Sequence, residues 1–316
     1  MARHRHRPAP DNNTASPSQP GLVVANFGAE LVVEDAAGNL HRCAGRRKLG
    51  TLVCGDRVEW QDGNHVPCTI ARRLPRTTEL ARPDRTGRKK IVAANIDQML
   101  IVTASQPAFN AGLVDRYLVV AETLGITPVI VPNKIDLLTP HTRASLEAQR
   151  EEYARIGYLT VPTSAVTEHG LDMLLPLLRQ HTSIFVGQSG VGKSSLINAI
   201  LPDAEARIGD ISAATGKGTH TTTTAWLYHL PERAGDVIDS PGIREFGLWS
   251  ITPRQVAKGF REFRAVAEQC RFRDCLHKGE PGCAVAEAVE NGRISARRLA
   301  SYHRILASLE ENGQTD

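Results

Sequence analysis

At 316 residues, with 41% hydrophobic and 23% charged side chains, the chain is long enough for two or three domains with real cores and has an ordinary globular composition. No run of about 18 apolar residues occurs and the start has no apolar signal-peptide core, so neither a membrane span nor export is expected and a cytoplasmic location follows. The net charge of +4 is modest but uneven: residues 21–90 carry 13 basic and 8 acidic side chains and residues 91–255 carry 12 and 16, a pattern that suits a polyanionic partner held by the parts flanking an acidic centre.

Residues 1–20, with Arg3-His4-Arg5-His6-Arg7 followed by Pro, Asn, Ser and Gln, read as a disordered basic tail. Residues 21–75 hold short β-type runs (Leu22–Ala25, Ala29–Val33, Thr51–Cys54) separated by turn signals at Asp35–Asn39 and Cys54-Gly55-Asp56. Close turns and no convincing helix predict a small barrel, and a five-stranded OB fold fits the length. Basic loops punctuate it at Arg42, Arg46-Arg47-Lys48 and Arg72-Arg73. Residues 76–90 are polar and basic and read as a linker. From 91 to 255 strands alternate with helices: a strand at Gln98–Thr103, a helix over Val114–Leu124, a strand at Pro128–Val131, a helix over Thr142–Ile156, a strand at Tyr158–Val161, a helix over Gly170–Gln180, a strand at Ser183–Val186 and a helix from Ser194. This alternation predicts a mostly parallel sheet covered on both faces. Residues 256–316 change character, with helix-like stretches, a cysteine cluster and an amphipathic basic helix over Ser295–Leu309.

Gly187-Gln188-Ser189-Gly190-Val191-Gly192-Lys193-Ser194-Ser195 lies between a strand and a helix, the context of a phosphate-binding loop. Its glycines let backbone N–H groups turn inward around phosphates, and the helix start adds favourable partial charge. Lys193 is expected to reach the β- and γ-phosphates and the Ser194 hydroxyl to ligate Mg²⁺. Asp239-Ser240-Pro241-Gly242 follows a strand; Asp239 suits Mg²⁺ and the Gly242 N–H suits sensing of the γ-phosphate. Asn133-Lys134-Ile135-Asp136 chooses the base: the Asp136 carboxylate accepts from guanine N1–H and the 2-amino group, a pair adenine cannot supply. Asn133 would support guanine O6/N7 and the loop, the Lys134 stem would cover the ring, and Thr163-Ser164-Ala165 would close over guanine O6 by backbone N–H. The guanine signature precedes the phosphate loop, the reverse of the Ras-like order, so the chain reads as a circularly permuted GTPase. Between loop and Asp239, the run Thr215–Thr224 stands where a γ-phosphate-ordered switch belongs; Thr222 is the favoured Mg²⁺ ligand. Ile243 occupies the position where Ras-like enzymes carry a water-orienting glutamine, which leaves His220 as the nearest polar candidate for that work.

Cys270, Cys275, His277 and Cys283 offer three thiolates and an imidazole within 14 residues, a closed structural zinc set with disulfides as the competing reading. Cys43, Cys54 and Cys68 sit at no ligand spacing and read as buried or inert.

With these motifs in hand, the chain resembles the RsgA (YjeQ) family of small-ribosomal-subunit biogenesis GTPases. The resemblance covers roughly residues 20–310 and rests on Gly187–Asn198, His220–Thr223, Asp239–Phe246 and the Cys270/Cys275/His277/Cys283 spacing. It implies a multidomain chain: an N-terminal all-β OB barrel for RNA, a central α/β permuted GTPase, and a C-terminal mainly α zinc-binding domain. It further implies GTP hydrolysis stimulated by the small (30S) subunit, contacts to 16S rRNA, a role in driving or checking late 30S maturation and the protein's own release, and a catalytic part for His220. A monomer is expected. The competing readings are a GTP-sensing RNA-binding module with little hydrolysis, favoured by Ile243, and a zinc-based thiol sensor.

Overall fold

A computed structural model describes residues 18–28, 30–63, 66–84, 88–202, 225–239 and 251–311. The basic tail lies outside them. Five strands, β1 (Gln19–Asn26), β2 (Glu30–Glu34), β3 (Leu40–Gly45), β4 (Arg57–Gly63) and β5 (Val66–Arg73), hydrogen-bond in the order β1-β2-β3-β5-β4, and β4 pairs back onto β1 to close a barrel. β3 and β5 run parallel; the other neighbours are antiparallel. Alternation along β1 and β2 sends Val23, Leu31 and Val33 into the barrel with Trp60 and Ile70, while Val24 and Val32 join the larger core outside it. These two strands are therefore apolar on both faces because both faces are covered.

Three expectations for this region need correction. Thr51–Cys54 is not a strand: only Cys54 forms a bridge, to Ala93. Cys43, Cys54 and Cys68 are buried as expected, but Cys43 and Cys68 face each other across β3 and β5 and are joined as a disulfide inside the barrel; Cys54 alone of the three is a free thiol. Residues 76–90, read as a linker, carry most of an antiparallel pair, β6 (Glu79–Pro83) with β7 (Lys89–Ala94). The segment is bolted to the barrel by Arg76, whose guanidinium forks onto the buried Asp56 carboxylate (2.7 and 2.8 Å) and also reaches Glu79 (2.9 Å). Fork geometry with both partners buried makes this a fixed joint.

The central sheet runs β10-β9-β8-β11-β13-β12. Its strands are β8 (Gln98–Ala104), β9 (Thr127–Asn133), β10 (Leu159–Thr160), β11 (Thr182–Val186), β12 (Trp226–His229) and β13 (Asp236–Asp239). All pair in parallel except β12, which is antiparallel to β13. Every residue of β8 is buried, which matches its near-continuous apolar run. Helix α1 (Ala111–Leu124) starts on Asn110, whose side chain accepts from Leu113 N, and stops at Gly125 in the left-handed region. Helix α2 (Pro140–Arg155) opens on a Thr139/Thr142 capping box with proline in its first turn. Helices α3 (Leu171–Leu178) and α4 (Lys193–Ile200) complete this part. At its far edge β12 meets β1 of the barrel at Trp226 and Ala25, so barrel and central sheet form one run of eleven strands.

Helices α5 (Pro253–Gly259), α6 (Arg261–Ala267), α7 (Ala284–Glu290) and α8 (Ala296–Glu311) form the C-terminal part. It seats on α1. Gly259 is required there because a Cβ would stand 2.8 Å from Val119 Cγ1. Along α8, Arg298, Tyr302, Ile305, Leu306 and Leu309 recur at helical spacing and are buried. Part of its basic character is thus turned inward: Arg298 is fully buried and donates to Asp115 of α1 (2.6 Å) and to Glu262 (2.5 and 3.1 Å). Among the described residues no helix is long and apolar enough to cross a membrane.

Candidate functional site

The site forms where the C-terminal ends of β9, β11 and β13 meet, the usual place for ligands on a parallel sheet. β11 ends at Val186, and the loop to α4 turns on Gly187, Gly190 and Gly192, all with positive φ. Two of these glycines are needed for space as well: a Cβ at Gly187 would collide with Val102 O, and one at Gly192 with Asn133 Nδ2. Lys193, first in α4, donates to the carbonyls of Gly187 (2.9 Å) and Gln188 (3.0 Å), so its ammonium lies over the loop. Val191 is buried and anchors the loop, while Ser189, Gly190, Ser194 and Ser195 are exposed.

Asn133 holds the base-reading segment against this loop. Its Nδ2 donates to Val191 O (2.9 Å) and Gly192 O (3.4 Å), and its Oδ1 accepts from Ala165 N (3.3 Å) and Thr163 Oγ1 (3.4 Å). One buried amide side chain thus joins three loops far apart in sequence. Lys134 stands in the left-handed region (φ 61°), which directs its Nζ to Gly190 O (2.5 Å) and Gln106 O (3.2 Å). Asp136 accepts from Ser164 Oγ (2.5 Å), so the acceptor proposed for guanine stands beside the Ser164-Ala165 segment.

Asp239, at the end of β13, lies beside Ser194 and Lys193. Burial pushes its carboxyl up from the usual range, opposed by the Lys193 charge and a hydrogen bond with Ser194. A carboxylate and a hydroxyl next to a phosphate loop make a hard, all-oxygen donor pair that fits Mg²⁺. His220, Thr222 and Gly242 lie outside the described residues, as do Ser240 and Ile243.

The second cluster stands in the C-terminal part. His277 Nδ1 is 3.7, 3.5 and 3.4 Å from the sulfurs of Cys270, Cys275 and Cys283, and the four donor atoms all lie within 4.8 Å of one another. Tetrahedral zinc with ordinary Zn–S and Zn–N lengths separates such donors by about 3.6 Å, so the set fits that ion. Burial above all, with Cys283 and Cys270 after it and against a hydrogen bond from the His277 backbone that lowers it, pushes the Cys275 thiol up to about 12; a cation among the sulfurs would convert them to thiolates. Ala284 N donates to Cys270 Sγ and Ala286 N to Cys283 Sγ, both at 3.4 Å, so the start of α7 supports two of the four donors. The Cys/His cluster was visible in the sequence but this support was not, nor was the hydrogen bond from Thr163 Oγ1 to Asn133 Oδ1.

Comparison with known proteins agrees with this geometry. A profile described as RsgA GTPase matches residues 73–249. A small ribosomal subunit biogenesis GTPase RsgA of Ectopseudomonas mendocina is 50% identical over 300 residues, covering 94% of this chain and 87% of that protein. The protein of the same name from Haemophilus influenzae is 48% identical over 315 residues, covering 98% and 91%. Among solved structures, YjeQ from Thermotoga maritima superposes with a TM-score of 0.75 at 33% identity, covering 93% of this chain and 99% of that one. YloQ, described as a circularly permuted GTPase, gives 0.72 at 30% identity with 98% of both chains covered. With the phosphate loop tied by Asn133 to a guanine signature that precedes it in the chain, and with relatives matching nearly end to end, this protein belongs to the RsgA GTPase family.

Proposed function

We propose that this protein binds the small (30S) ribosomal subunit and hydrolyses GTP there to drive or check late subunit maturation and its own release. The Asn133 bridge carries the nucleotide part of this reading, because it fixes a guanine-selective segment against a phosphate loop. Asp136 selects guanine, Ser164 and Ala165 close over its O6, and the Lys134 stem covers the ring. Backbone N–H groups from Gly187 to Ser195 cradle the phosphates, and Lys193 turns from its loop carbonyls to the β- and γ-oxygens. Ser194, Asp239 and Thr222 would hold Mg²⁺, which when bound would supply positive charge against the phosphates. Gly242 reports the γ-phosphate, and His220 orients the attacking water. Zinc on Cys270, Cys275, His277 and Cys283 is structural, since four protein donors leave no open position.

The partner reading rests on the names of the relatives and on the basic barrel segment. It expects 16S rRNA contacts that are salt-sensitive and indifferent to sequence, in the cytoplasm, by a monomer. The test is steady-state GTP hydrolysis with and without purified small subunits at low and high salt. The expected result is stimulation of about a hundredfold or more, lost at high salt and in His220→Ala. Stimulation that survives His220→Ala removes that histidine from the mechanism. No stimulation under any condition overturns the subunit-dependent reading.

A further inference from the structure

Phe272 is the one aromatic ring among the exposed large apolar side chains of the described residues, 42% exposed where most such rings here are buried. It stands in the four-residue loop between two metal donors, Cys270 and Cys275, with Arg271 before it and Arg273 after it, both exposed. The loop is held firmly. Arg271 N donates to Gly282 O (3.0 Å), and Cys275 N donates to Phe272 O (3.2 Å), which folds the chain back under the ring. Gly282 (φ 74°) leaves room for the Arg271 stem: a Cβ there would lie 3.0 Å from Arg271 Cβ. The Arg271 guanidinium sits 5.4 Å from the Phe272 ring centroid. Neither arginine has an ion pair with a carboxylate among the described residues; Glu280 spends its oxygens on Leu276 N (2.8 Å) and Lys278 N (2.7 Å). Asp274 is the only acid between the two cysteines.

We propose that Phe272 is a stacking platform for one unpaired base of RNA, with Arg271 and Arg273 set to meet the phosphates on either side. An apolar ring kept in water at a rigid loop tip gains most from a flat partner, and every nucleobase offers one. Two flanking guanidinium groups select a polyanion over an apolar protein surface. Unstacked bases in single-stranded loops, bulges and ends of RNA are the common targets of aromatic stacking by proteins. The proposal deepens the subunit-binding reading and rests on it for its natural partner.

Subunit affinity is measured as a function of salt for wild type, Phe272→Ala, Phe272→Trp and Arg273→Ala, each first shown to hold wild-type zinc and to melt as wild type does. Phe272→Ala should weaken subunit binding by roughly fivefold to a hundredfold without changing the slope of log affinity against log salt, because stacking releases no counterions. Arg273→Ala should lower that slope by about one phosphate contact. Phe272→Trp should bind as wild type, with extra emission quenched both by subunits and by a uridine-rich single-stranded oligoribonucleotide. Wild-type affinity in Phe272→Ala overturns the proposal. Weakened binding with no quenching of Phe272→Trp by subunits also overturns it, and assigns the ring to a ribosomal protein. Should wild type fail to bind subunits while the oligoribonucleotide still quenches Phe272→Trp, the subunit reading falls and the stacking platform stands.

Discussion

The central sheet is joined to its two neighbours in different ways. On the barrel side the joint is a backbone pairing, β12 on β1, with a polar clasp beside it: His229 bridges Glu34 of β2 and Asp236 of β13 (both 2.6 Å), and Arg233 also reaches Glu34. On the C-terminal side the joint is side-chain packing around a buried charge. Asp115 of α1 is fully buried and accepts from Tyr153 (2.8 Å), Arg297 (2.8 Å) and Arg298 (2.6 Å), while Arg298 carries the link on to Glu262. The contrast assigns the joints different mobilities. Strand β12 directly follows residues 203–224, the stretch that holds the expected switch, so the clasp stands where a nucleotide-dependent shift would first be felt. It is partly open to water and its main member titrates. The Asp115–Arg298 pair at the centre of the other joint is dry and charged, so it tolerates neither separation nor a missing partner. It ties the C-terminal part to α1.

Removing the zinc proposed for the Cys270, Cys275, His277 and Cys283 cluster should produce the largest effect, and only on the C-terminal side. The rings of Phe260, Phe263, His277 and Tyr302 pack against one another, and Tyr302 donates to Leu276 O (2.6 Å), so the metal loop is continuous with the core under α5, α6 and α8. Structural zinc contributes about 10 kcal/mol or more of folding free energy to small sites. Chelation, or Cys283→Ser, should release one equivalent of zinc and strip hydrogen-exchange protection from α6 to α8, while β1–β5 keep theirs. Equal loss of protection in the barrel would mean the joints are not separable.

Next in size is Asp115→Ala, which leaves Arg298 buried without its central partner. Breaking such a network destabilises by about 3–5 kcal/mol. Urea unfolding should show that loss with its midpoint insensitive to added salt, since a dry pair is poorly screened. A loss under 1 kcal/mol would show the network to be open to water and the comparison of the joints to be wrong.

This network also marks where sequence reading stopped. That Asn133, Lys193 and Asp239 meet at one site, and that Cys270, Cys275, His277 and Cys283 cluster, was legible because those residue types stand at short spacing or at strand ends. The parallel sheet was legible for a similar reason, since each strand and helix carries its own periodicity. Asp115 and Arg298 are 183 residues apart, and each alone looks like a solvated charge on an amphipathic helix. The β6–β7 pair was hidden by its composition: only Leu80, Ala93 and Ala94 bury apolar groups, and its anchor to Asp56 is an arginine in a basic run. The Cys43–Cys68 pairing depends on β3 lying parallel to β5, a long-range arrangement that no local pattern signals.

The smallest effect should come from the clasp, and its sign separates the joints most cleanly. Hydrogen bonds to Asp236 and then Glu34 raise His229 from 6.5 to about 9. A base whose folded pKa lies above its unfolded value stabilises the protein fully below the unfolded pKa, and loses that contribution as pH rises through the folded one. Stability should therefore fall between about pH 6.5 and 9, by at most about 3 kcal/mol for a shift of this size. Arg233 also donates to Glu34, so the loss should be partial. His229→Gln keeps a donor on the same side of the strand but cannot charge. Its melting temperature should lie below wild type at pH 6.5 and meet it near pH 9, whereas Asp115→Ala should stay below wild type by a constant margin across the same range. If His229→Gln and wild type run parallel with pH, the clasp is not what makes the barrel joint sensitive, and the difference between the two joints reduces to backbone pairing against side-chain packing.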